Sequence, residues 1–140
     1  MATVHETYDF DVPVERLYAY FSEHENLKTL FGLDVERLSE GDTEPNGVGS
    51  VRKLSVKGAL PFEETITEAI PNERIEYRVT KGSPLRGHLG VMVFSSTGDG
   101  GSHLDYTITF GAAVPGLDRV IAAGLSRSIR RGFPKVARKL

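Results

Sequence analysis

The chain has no cysteine and no tryptophan. The missing thiols exclude a disulfide framework, a thiolate zinc site, an iron–sulfur cluster and a cysteine nucleophile. Histidine is scarce too: His5, His24, His88 and His103 never fall at an H-x-x-x-H or comparable ligand spacing, so no metal site is expected. The longest apolar run, about six residues at Val120–Leu125, is far short of the roughly 20 that span a bilayer, so no transmembrane segment is expected. The opening Met1-Ala2-Thr3-Val4-His5-Glu6 lacks the basic and apolar regions of a secretory signal, and the expected location is cytoplasmic. No G-x-S-x-G elbow occurs. Gly47-Val48-Gly49 lacks both a third glycine and a following helix, so neither a dinucleotide nor any other cofactor is expected.

What remains is an ordinary globular composition. With 140 residues, 39% hydrophobic and 26% charged, the chain is long enough for one real core, and residues 1–140 are expected to form one ligand-binding domain. The net charge of −2 conceals an asymmetry: residues 115–140 carry seven Lys/Arg against the single acid Asp118, while the rest carries ten basic and eighteen acidic side chains. A basic terminus of this kind raises the possibility of nucleic acid. The segment, however, has an apolar stripe that needs a core and few aromatics for stacking bases, so it reads as a helix exposing one charged face, with no nucleic acid as partner.

The periodicity divides the chain. Alternation over Thr3–Phe10 predicts a strand. Pro13 suits a helix start, and Val14, Leu17, Tyr18 and Phe21 fall on one helical face. A second short helix is predicted over Glu25–Phe31, stopped by Gly32. Strands are predicted at Leu33–Ser39, Val48–Val56, Phe62–Ile70, Arg74–Thr80, Leu85–Ser96 and His103–Gly111, joined by short turns rich in Gly, Pro and Asn, including Gly58-Ala59-Leu60-Pro61. Short connections predict an antiparallel meander. From Pro115 onward, Leu117, Ile121, Leu125, Ile129, Phe133, Val136 and Leu140 form one apolar stripe along a long helix, with a kink expected at Pro134 beside Gly132. The predicted class is α+β: a seven-stranded antiparallel sheet wrapped around a long C-terminal helix, with two short helices after the first strand.

Four motifs in this order resemble the helix-grip superfamily of START-like lipid-binding, birch-allergen-type and polyketide cyclase/dehydrase proteins, often grouped as SRPBCC. They are Asp11-Val12-Pro13-Val14-Glu15-Arg16-Leu17, Gly47-Val48-Gly49-Ser50-Val51-Arg52, Glu64-Thr65-Ile66-Thr67-Glu68-Ala69-Ile70-Pro71 and Gly100-Gly101-Ser102-His103-Leu104-Asp105-Tyr106. The resemblance spans the chain and departs at Leu30-Phe31-Gly32-Leu33, where the family often carries Trp-x-Pro. It implies a deep cavity between sheet and helix that holds a hydrophobic small molecule such as a lipid or polyketide.

Strand parity sorts the residues that would face such a cavity. Met92 and Phe94 share a face with Tyr106, Ile108 and Leu104, and His88 lies opposite Phe110 near one end, read either as one of the polar groups of the inner surface or as a residue at the rim in solvent. Arg52, Leu54 and Val56 face inward with Phe62, Glu64, Ile66, Glu68 and Ile70, and so do Ile75, Tyr77 and Val79. A turn centred near residue 59 sets Leu54 opposite Glu64 and Arg52 on the diagonal. Leu117, Ile121 and Leu125 supply the helical wall. Arg52 and Glu64 read either as a structural ion pair or as polar anchors for a ligand, and Tyr77 and Tyr106 either as core or as recognition groups. Three functions stay open: a non-catalytic binder of a hydrophobic small molecule, as monomer or weak dimer; a polyketide cyclase or dehydratase with Glu64 or His88 as base and Arg52 or a tyrosine hydroxyl as oxyanion partner; and a protein- or membrane-interaction module.

Overall fold

The first strand, β1 (Ala2–Phe10), lies at one edge of a seven-stranded sheet, and the long helix that closes the chain packs against it. The computed structural model describes residues 1–56 and 60–140. After β1 come α1 (Val14–Ser22), a 3-10 turn at His24–Asn26 and α2 (Leu27–Phe31). The meander follows as β2 (Asp34–Ser39), β3 (Val51–Ser55), β4 (Phe62–Ile70), β5 (Arg74–Lys81), β6 (Leu85–Ser96) and β7 (Ser102–Ala112), and α3 (Leu117–Lys139) ends the chain. Every pairing is antiparallel and the strand order is β1-β7-β6-β5-β4-β3-β2. This is the expected helix-grip arrangement.

Period-two alternation builds the inner face. Along β7, Leu104, Tyr106, Ile108 and Phe110 are buried, and Met92 and Phe94 of β6 lie opposite Tyr106 and Leu104 as parity predicts. The third strand is shorter than Val48–Val56 because Gly49 adopts φ +89° and Ser50 closes a turn onto the Gly47 carbonyl at 3.0 Å. Of the turn at 58–61, Gly58 and Ala59 lie outside the described residues.

Two register details differ from expectation. Arg52 stands directly opposite Glu64 and Leu54 opposite Phe62, so each partner on β4 lies two positions from the expected register. A bulge in β4 between Ile66 and Glu68 then reverses parity: Ala69 packs inward while Ile70 is 41% exposed on the outer face. Alternation alone hides such an extra residue.

The long helix runs from Leu117 to Lys139 through Pro134. Gly132 serves proximity rather than softness, because a Cβ there would stand 2.1 Å from the Leu30 carbonyl oxygen. Ser128 Oγ donates to the Phe31 carbonyl at 3.2 Å, satisfying an end of α2, and Gly32 completes that cap at φ +68°. The second half of α3 is consequently clamped between α2 and the sheet, with Ile129, Phe133 and Val136 fully buried.

Candidate functional site

At the opposite half of the interior the elements draw apart. Strands β5 and β6 pair only from Arg74 to Tyr77 on β5, then diverge toward Gly82-Ser83-Pro84. A cavity of about 380 Å³ opens between that hairpin, β3–β4, the end of α2 and the first half of α3. Leu54, Phe62, Val79 and Ile108 supply apolar walls from the sheet, Phe31 and Leu33 from the α2 end, and Ile121 and Leu125 from the helix. At the mouth, Val56 and Leu60 are 40% and 84% exposed. The polar groups that reach the lining are Glu64, Tyr77, His88 and Ser83.

Each of these is held for a definable reason. Cross-strand pairing sets Arg52 against Glu64, at 2% and 5% exposure respectively. Both Nε and Nη2 of Arg52 lie 2.8 Å from Glu64 Oε1, and the guanidinium carbon sits 4.5 Å from the centre of the Tyr77 ring. The Tyr77 ring crosses Gly90, where a Cβ would fall within 2.2 Å of a ring carbon, and its hydroxyl is hydrogen-bonded to that of Tyr106. Burial raises both tyrosines above the ordinary phenol range, so they remain protonated.

A second bulge aims His88. Arg86 pairs with Gly111 and Leu89 with Thr109, leaving Gly87 and His88 together opposite Phe110, with Gly87 at φ +59°. The imidazole is buried rather than at a solvated rim, stacked at 6.5 Å on Phe110. The Val79 N–H donates to His88 Nδ1 at 3.1 Å. A backbone N–H donates only to an unprotonated ring nitrogen, so the neutral ring carries its proton on Nε2. Burial keeps the ring neutral by lowering its pKa below the usual histidine value, with Arg52 adding to that effect and Glu64 opposing it. The Nε2–H lies 3.9 Å from Glu64 Oε2.

Of the residues expected to face a ligand, Leu54, Glu64, Tyr77, His88, Ile108, Ile121 and Leu125 share this cavity. Ile66, Met92, Phe94 and Tyr106 do not line it; they are packed in the core, where side chains from α1 and α2 cover the inner face. Arg52 stands behind Glu64, and half-buried Leu117 lies a turn beyond the cavity's helical wall. The suggested oxyanion partners are thereby constrained: Arg52 does not line the cavity, and the Tyr77 hydroxyl is engaged by Tyr106. The parity reading missed Phe31, Leu33, Leu60 and the Gly82–Leu85 hairpin, which are loop or end positions outside any strand alternation.

A separate groove of about 280 Å³ between α2 and α3 is flanked by Arg127, Arg131 and Lys135. This is the charged face of the basic segment, and it shares only Phe31 with the apolar cavity. Among the described residues no group of three or more His, Asp or Glu is placed to hold a metal, and no helix is long and apolar enough to cross a membrane.

The family described as polyketide cyclase / dehydrase and lipid transport matches residues 1–140. Among curated proteins, none matches the sequence significantly. Similar solved structures include a Mesorhizobium loti protein (14% identity, 98% of this chain and 95% of that one, TM-score 0.74) and a Deinococcus radiodurans protein (19%, 99% and 96%, 0.69). A third is the Aha1 dimer from Colwellia psychrerythraea (14%, 94% and 92%, 0.69). At these identities the structural likeness shows the fold.

Proposed function

The chain belongs to the polyketide cyclase / dehydrase and lipid transport family, and from that premise and the cavity's geometry we propose that it binds a hydrophobic small molecule between the sheet and α3. The observation that carries the proposal is the cavity itself: about 380 Å³ of apolar-walled space, within the range of ligand sites, in an interior otherwise filled by side chains. A few polar groups at one wall fix orientation, and the exposed Val56 and Leu60 at the mouth offer an apolar entrance.

Binding is favoured over catalysis by the state of His88. His88 has Nδ1 occupied and Nε2 protonated, so it presents a donor rather than a base. Native mass spectrometry of protein purified without detergent tests the proposal. The wild type is expected to carry an apolar adduct of stoichiometric amount, and Leu125→Trp, which fills the cavity, is expected to lose it while keeping its circular dichroism. Retention of the same adduct by the folded variant would place the ligand elsewhere and overturn the reading.

A further inference from the structure

The cavity contains one polar pair whose bonding is incomplete. Glu64 Oε1 accepts from Arg52 Nε, with Nη2 as near but without a hydrogen-bond partner, whereas Oε2 has no hydrogen-bond partner among the described residues. Facing it, His88 is locked by the Val79 N–H into the tautomer that points Nε2–H toward the same space. Of the other polar groups there, the Tyr77 hydroxyl binds that of Tyr106, and Ser83 Oγ, on the β5–β6 connection, accepts from the Leu85 N–H at 3.2 Å. At its Glu64–His88 wall the cavity offers one anionic acceptor and one neutral donor, 3.9 Å apart, set among apolar side chains.

That separation is too long for a hydrogen bond between the two groups. It does match a shared partner. An oxygen about 2.8 Å from both atoms of a pair 3.9 Å apart sees them at an angle of about 90°, within the range a hydroxyl uses when it donates one bond and accepts another. A ketone or ether would accept from His88 but leave Glu64 Oε2 desolvated and unpaired. A carboxylate would bring a second negative charge against Glu64. An ammonium would have nothing to accept from His88 and would approach the Arg52 cation.

We propose that the ligand is an uncharged alcohol or phenol, whose single hydroxyl donates to Glu64 Oε2 and accepts from His88 Nε2–H while its apolar body fills the cavity toward Leu125. This rests on the binding reading above and names the chemistry of its ligand. Glu64 and His88 act as specificity groups, and the Arg52 ion pair holds the carboxylate in place. The space suits a body of roughly two or three fused rings.

The test is a fluorescence titration of the full chain with three probes of one skeleton: β-naphthol, its methyl ether and naphthalene. β-Naphthol is expected to bind about tenfold or more tightly than the methyl ether, the discrimination of a hydrogen bond to a charged acceptor. In His88→Phe, which removes the donor and keeps an aromatic volume, the preference of β-naphthol over naphthalene is expected to shrink about threefold or more, because the oxygen probes lose the bond they accept. Naphthalene, which has no polar atom, should bind both proteins alike, which also shows the variant folded. Equal wild-type affinity for all three probes would overturn the hydroxyl assignment and leave the apolar cavity standing. An undiminished preference over naphthalene in His88→Phe, with naphthalene still bound, would overturn the role of His88. Failure of all three probes to bind the wild type would sink the cavity reading itself.

Discussion

The two halves of the interior are built from the same strands and one continuous helical stripe, yet one is closed and the other open. At the closed end, Phe10 meets Phe21 and Phe133 edge to face, Phe21 meets Phe94 at a tilt, and Leu17, Leu27 and Leu30 from the short helices are buried. At the open end, among the described residues, only Phe31 at the end of α2 reaches the cavity from the short helices. There Ile121 and Leu125 continue the stripe of Ile129, Phe133 and Val136, but they are only half-buried and border a cavity. The stripe says which side of the helix faces inward; what stands across from it decides whether that side is core or binding wall.

Truncation should expose this contrast most strongly. Phe133→Ala removes a fully buried ring from a packed site and is expected to lower stability by about 3–5 kcal/mol, whereas Leu125→Ala borders existing space and should cost about 1 kcal/mol or less. Urea denaturation of both variants measures the difference. Similar losses would mean that the open end is as tightly packed in solution as the closed one.

The two buried histidines sharpen the comparison further. At the closed end His24 is fully buried, with Nε2 3.1 Å from Ser50 Oγ and Nδ1 without a hydrogen-bond partner. Burial first, and then the charges of Arg52 and Arg37, lower its pKa from 6.5 to about 3. A depressed folded-state value means that the unfolded chain takes up the proton more readily. Its contribution is therefore full above pH 6.5 and is lost progressively as pH falls toward about 3, at up to ~1.4 kcal/mol per pH unit. Denaturant midpoints measured from neutral pH to about pH 4 should fall more steeply in the wild type than in His24→Asn. A stability difference between the two proteins that does not change with pH would contradict this assignment. At the open end the pKa of His88 is lowered too, but its free N–H faces the cavity rather than a sealed core.

Much of this was legible in the sequence. The order of elements and the pairing of Met92 with Tyr106 and Phe94 with Leu104 follow from parity and turn position, and the inward faces of Arg52 and Glu64 follow from parity, although the β3–β4 register lies two positions from the one expected. Parity fails where a strand takes an extra residue, as at Ile70 beyond the β4 bulge, whereas His88 still lies opposite Phe110 although Gly87-His88 forms a second bulge. Glycine inside the β6 pattern at Gly87 was the one available signal for the second of these. Periodicity also cannot tell packed from open. Met92 and Ile108 alternate identically and are both buried, yet only Ile108 borders the cavity.

The claim that the open half is the binding half is most directly tested by amide chemical shifts during titration with naphthalene, a probe with no polar group. The predicted result is a saturable set of changes at Leu54, Val79, His88, Ile108 and Leu125, with Leu17, Phe94 and Phe133 unmoved. Changes centred on the latter three, or none at probe saturation in water, would contradict it.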